Sequence, residues 1–144
     1  MVSETWYSEI ESTILTTLQY FLVEKTSAPF PKLKCTTSNK NDNVSGVGSF
    51  PTLYVHELPA VELGNDLRNE SVNAIRATFE LQVYSNKSED ETRKIMNACI
   101  AEMKKLRFNI SMFPDPQSSG QVYYNIARFS RVIGSGDSDI VPQE

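Results

Sequence analysis

Side chains that carry chemistry are scarce in this chain. Of its 144 residues one is histidine, His56, and two are cysteine, Cys35 and Cys99. His56 falls in a strand-like run beside Glu57, and neighbours in a strand point to opposite faces, so the two cannot easily share a proton or a metal. Nothing marks a nucleophile elbow, so no Ser-His-Asp arrangement is suggested. The cysteines form no CxxC pattern and are expected as reduced core residues, Cys99 on a helix stripe and Cys35 on the apolar side of a short strand. Glycine is sparse too. Gly46-Val-Gly48 and Gly134-Ser-Gly136 sit in polar segments, not at a strand-to-helix turn, so neither is a phosphate cradle. The net charge of -4 with mixed signs argues against a phosphate-neutralising surface, and no nucleic-acid recognition is expected. There is no apolar run of about 18 residues, hence no expected membrane span. The start, Met-Val-Ser-Glu-Thr-Trp, lacks the profile of a signal peptide. No catalytic, cofactor-binding or metal-binding residue is assigned.

What is present is a strand followed at once by a capped helix. From Ile75 to Val83 apolar and polar residues alternate for nine positions, which sets one face of a strand against a core. After Ser85-Asn-Lys, Ser88 is an N-cap and Glu91 completes a capping box, with Glu89 and Asp90 placed where the helix dipole favours negative charge. The same dipole explains this acidic run more simply than a metal site does. Ile95, Met96, Cys99, Ile100, Met103 and Leu106 recur at helical spacing, and Lys104, Lys105 and Arg107 close the last turn.

Elsewhere, residues 4–25 read as a first helix capped by Ser3, with Tyr7, Ile10, Ile14, Leu18, Phe21 and Leu22 as its stripe, ended by Pro29 and Pro31. Residues 33–37 form a short strand and 52–58 a second, stopped by Pro59. Residues 72–84 return antiparallel to that second strand. Phe108, Ile110 and Met112 alternate as a fourth strand, residues 114–120 are a turn region, and residues 122–133 are a fifth strand. That fifth strand has apolar residues on both faces, as suits an inner strand or one covered by another subunit. The reading is α+β in the order α-β-β-β-α-β-β, a mainly antiparallel sheet with two helices on one face. Residues 1–133 make a single domain, and 134–144 a flexible acidic tail.

Two polar stretches, 38–49 and 59–71, are too long for simple connections and are expected to carry partner contacts and to gain order on binding. The candidate partner interface is Asn41, Asn43 and Val47 from the first, Asn65, Asp66 and Arg68 from the second, and Tyr123, Arg128 and Arg131 from the fifth strand. Arg128 and Arg131, three apart on a strand, face opposite ways, so separate salt bridges are expected rather than a phosphate clamp.

In Phe50-Pro-Thr-Leu-Tyr-Val-His-Glu-Leu58, Gly64-Asn-Asp-Leu67, Asn73-Ala-Ile-Arg-Ala-Thr-Phe-Glu-Leu-Gln-Val-Tyr-Ser-Asn86, Met103-Lys-Lys-Leu-Arg-Phe108 and Ala127-Arg-Phe-Ser-Arg-Val-Ile133, the chain resembles the tail-terminator, or tail-completion, proteins of long-tailed bacteriophages. The resemblance spans residues 50–133 and is a match of pattern, not of chemically required residues. In similar proteins six copies close a ring on the head-proximal end of the tail tube, stop its growth and present a surface to the head. The resemblance implies a structural virion protein without cofactor, assembled in the host cytoplasm. Its implied partners are copies of itself, a tail-tube protein and a head-completion or neck protein. A neck or head-completion adaptor of the same virion is the alternative, and a small cytosolic enzyme or ligand-binding domain is a third reading.

Overall fold

In the computed structural model, residues 5–37, 50–65 and 71–141 are described. The centre of the sheet is β3 (Val72–Ser85), where the alternation predicted from sequence holds: Ile75, Ala77, Phe79, Leu81 and Val83 are all buried on one face. Around it lie β1 (Lys34–Thr36), β2 (Thr52–Asn65), β4 (Asn109–Ser119) and β5 (Val122–Gly134), in the spatial order β1-β2-β3-β5-β4. β1 runs parallel to β2, and the other described pairs are antiparallel. β5 is therefore an inner strand. Two helices, α1 (Ile10–Gln19) and α2 (Glu89–Lys105), join the sheet in one continuous core, giving the α+β fold and element order that the periodicities predict.

The first helix is built in three pieces: a tight turn at Trp6–Glu9, α1 itself, and a wide turn at Tyr20–Glu24 closed by Lys25 N–H on the Tyr20 carbonyl. Its buried stripe is Trp6, Ile10, Ile14, Leu18 and Leu22, a strict four-residue step. Tyr7, expected on that stripe, lies outside it, and Trp6 takes its place with Nε1 donating to the Val72 carbonyl (3.0 Å). The expected Ser3 cap lies outside the described residues. In α2, Ile95, Met96, Cys99 and Met103 are buried against the sheet, and Phe108 just beyond it meets Phe79 edge to face at 5.8 Å. Ser88 caps α2 by accepting from Glu91 N–H (3.1 Å). The Glu91 carboxylate accepts from the Ser85 hydroxyl (2.5 Å), so it ties the helix start to the end of β3.

Three sequence expectations are corrected. β2 does not stop at Pro59 but runs on to Asn65, because a bulge between Leu58 and Val61 absorbs Pro59 and Ala60. Proline is tolerated there because β1 pairs only with Thr52–Tyr54, leaving Pro59 on an edge where no ladder bond needs its missing N–H. β4 likewise extends through Pro114 and Pro116 to Ser119, again as an edge strand with bulges, and the reversal is the pair Gly120-Gln121. Gly120 takes φ +63°, the left-handed value that tight hairpin turns ask of glycine.

The third correction concerns the expected tail. Residues 135–141 fold back on the domain, and Ile140 and Val141 are buried in the core cluster. The anchor is Arg131, whose side chain is only 6% exposed. Its Nη1 donates to the Leu106 carbonyl at the end of α2 (2.7 Å) and to Asp139 Oδ2 (2.9 Å), and Nη2 donates to Asp137 Oδ2 (3.1 Å). The guanidinium also lies 6.0 Å from the centre of the Phe108 ring. Composition made this segment look like a solvated tail, but its acids are the counterions of a buried arginine.

Candidate interaction surfaces

On the face of the sheet away from the helices, cross-strand register lines up three rows of side chains. His56 pairs with Glu80, Glu80 with Arg128, and Arg128 with Met112. Tyr54 pairs with Gln82 and Gln82 with Ile126; Thr52 pairs with Tyr84, Tyr84 with Tyr124 and Tyr124 with Gln117. Hydrogen bonds connect the rows: Tyr84 Oη donates to Gln82 Oε1 (2.6 Å), Gln82 Nε2 to Glu80 Oε1 (2.5 Å), and Arg128 Nε to Glu80 Oε2 (2.9 Å). Tyr84 and Tyr124 stack at 5.5 Å, and Tyr54 and His56 at 5.8 Å. Burial, then the neighbouring Tyr124, pushes the Tyr84 hydroxyl up to about 12, so it stays a proton donor. Val132, 46% exposed, adds an apolar contact on this face, and Phe113 projects from edge strand β4 at 72% exposure. Tyr54, Gln82 and Tyr84 are buried within this cluster, and the side chains it leaves exposed to a partner include Arg128 and Val132.

A groove of about 710 Å³ lies between the first helix and β2. Tyr7, Ser8 and Glu11 line one side and Glu57 to Ala60 the other, with Val72 and Ile75 of β3 beneath. Glu57 points toward the helix, away from its neighbour His56, and its backbone N–H donates to Glu11 Oε2 (2.9 Å). Burial, then the charge of Glu11, raises the Glu57 carboxyl to about 7. Among the described residues no three metal-ligating side chains converge, and the Glu89 and Asp90 carboxylates pair with Arg93 and Lys94 one turn on. Both cysteines are free thiols; burial raises Cys35 to about 12 and raises Cys99 further, so neither is a ready thiolate.

The sequence-predicted interface is only partly gathered by the fold. Arg128 sits exposed on the helix-free face, paired with Glu80. Tyr123 is half-buried, and strand alternation sets it on the opposite face from Arg128. Arg131 also points the other way, as its spacing from Arg128 predicts, but it is not available to a partner because Leu106, Asp137 and Asp139 take its donors. Asn41, Asn43, Val47, Asp66 and Arg68 lie outside the described residues, as does the side chain of Asn65. Sequence reasoning missed Tyr54, Gln82, Tyr84 and Tyr124 as one cross-strand cluster. The available signal was that the even positions of β3 are aromatic or amide rather than charged near its end. The Glu11–Glu57 approach had no sequence signal, since it joins residues brought together by packing alone.

No protein-family model matches the chain, and no match was found among curated proteins.

Proposed function

We propose that this chain is a structural virion protein: a tail terminator that closes as a homo-oligomeric ring on the head-proximal end of a long phage tail tube. The observation that carries the reading is the sheet itself. One face is sealed by two helices, and the other presents an ordered row of aromatic and polar side chains, from His56 through Glu80 and Arg128, with no helix over it among the described residues. A subunit that assembles by rotation needs such a surface, because a heterologous contact repeated around an axis closes into a ring. The pattern resemblance over residues 50–133 supplies the particular assembly. Function in this reading is contact rather than catalysis: the ring stops tube growth and offers a surface to the head or neck. The protein works in the virion, built in the host cytoplasm; among the described residues no helix is long and apolar enough to cross a membrane.

The test is co-expression with the tail-tube protein and, separately, with the portal complex, followed by mass measurement and electron microscopy. A ring capping tubes is the expected result. Binding to the portal complex alone would turn the reading to a neck adaptor, and assembled tails without such a ring would overturn it.

A further inference from the structure

We propose that the open edge of β2 from Ala60 to Leu63, with the groove beside it, docks an extended lysine- or arginine-bearing segment of another protein. The inference is independent of the ring reading, since it stands on one strand edge and its surroundings.

Three observations carry it. First, β1 covers only Thr52–Tyr54, so beyond that point no described strand pairs with the outer side of β2. Glu57 N–H is taken by Glu11 Oε2 and Pro59 has no N–H, so strand addition would use the backbone donors and acceptors beyond the bulge, from Ala60 to Leu63. Pro59, Ala60, Val61 and Glu62 are exposed there, Val61 at 59%. Second, the neighbouring groove is acidic: Glu11, Glu57 and Glu62 line it, and no lysine or arginine is among its described lining residues. Third, these features select the partner. A second copy is disfavoured, because its free edge strand β4 reads Asn-Ile-Ser-Met-Phe-Pro-Asp-Pro-Gln-Ser-Ser, with an aspartate and no basic residue, and the whole chain carries -4. A segment alternating cationic and small apolar side chains meets carboxylates in the groove and Leu58, Val72 and Ile75 beneath.

Protonation gives the site a signature. The titratable groups lining the groove with Glu57 are Glu11 and Tyr7 on the first helix and Glu62 on β2, with His56 at its rim from the opposite strand face, while β3 contributes only Val72 and Ile75. Burial and Glu11 hold the free Glu57 carboxyl near 7. A cation beside it favours the ionised form, so docking releases a proton and tightens as pH rises through that value.

The experiment uses the full chain and a fluorescein-labelled peptide of alternating lysine and valine, read by anisotropy, with a glutamate-for-lysine peptide as control. Expected are binding of the lysine peptide only, tightening from about pH 6 to about pH 8, and a loss of about tenfold in Glu57→Gln. The pH dependence should flatten in Glu57→Gln and persist in His56→Gln. Glu62→Lys, at an exposed position, gives the same test should Glu57→Gln fold poorly. Backbone amide shifts should concentrate in residues 58–64. Glu89→Gln with Asp90→Asn, on α2, should leave affinity unchanged. Absence of binding to about 1 mM, an equal loss in the α2 variant, or shifts elsewhere would each overturn the proposal.

Discussion

Removing Arg131 should cost this domain about 3 kcal/mol. The guanidinium is almost fully buried and serves three acceptors, the Leu106 carbonyl, Asp137 and Asp139, while its plane lies near Phe108. Breaking a buried ion pair from one side typically costs about 3–5 kcal/mol, because the partner charge is left uncompensated. Here the partner carboxylates are 34% and 31% exposed, so water can rehydrate them and the lower end of that range applies to Arg131→Ala. Arg131→Met retains much of the packing on Phe108 and should lose less, about 2 kcal/mol, the difference measuring the aliphatic stem. Urea unfolding of the three proteins supplies the numbers, and a double-mutant cycle with Asp139→Ala isolates the pair. Acid gives an independent check. Burial alone would raise the Asp139 carboxyl, but hydrogen bonds and charge from Arg131 and Arg107 outweigh it and hold the group below its usual 3.8. A depressed carboxylate contributes stability present above the unfolded-state value and lost as pH falls through the folded one, so the gap between wild type and Arg131→Ala should narrow in acid. A loss below about 1 kcal/mol at neutral pH would show that residues 135–141 are not anchored as described.

Phe79→Ala removes a fully buried ring that meets Phe108, and equilibrium unfolding should show a loss of about 3–5 kcal/mol. Ser88→Ala deletes the α2 cap and should cost about 1 kcal/mol by the same assay, with the near-ultraviolet signal of the core unchanged. Because the Glu57 carboxyl is raised to about 7 from 4.5, its ionisation opposes folding. Its contribution should fall as pH climbs between those values, and Glu57→Gln should flatten that part of a stability-pH curve. Arg128→Glu sets two carboxylates together on the helix-free face beside Glu80. It should impair the proposed ring formation on tail tubes while leaving the isolated subunit folded, as sedimentation and circular dichroism would show.

How far the sequence carried this structure depends on where each signal was stored. The core faces of β3 and α2 were legible because a buried face imposes its period on neighbouring residues, and Phe79, Leu81, Ile95 and Cys99 are buried where that period puts them. Strand ends were misjudged at Pro59 and at Pro114–Pro116 for one reason. Proline forbids an inner strand, and whether a strand is at an edge is a property of the sheet rather than of the segment. The acidic end of the chain was misread because Asp137 and Asp139 are solvating residues by composition and counterions only once Arg131 is placed beside them. The opposite facings of Arg128 and Arg131, by contrast, follow from alternation alone and hold. The groove at Glu11 and Glu57 joins residues whose proximity no local pattern encodes.

The strand order has a consequence for how the chain is made. β3 sits at the middle of the sheet, yet its neighbour β5 is the last of the described strands to leave the ribosome, and Ile140 and Val141 join the core only after it. A nascent chain that has emerged through α2 can pair β2 with β3 but must hold the other long edge of β3 open, with Phe79 and Leu81 short of partners. Such an edge is a template for pairing with another unfinished copy. Translation on crowded polysomes, as in an overexpressing host, is thus the moment of greatest exposure. A stop codon placed just after Gly134 should yield aggregates rather than a slightly weakened domain, because it removes the residues that close the core.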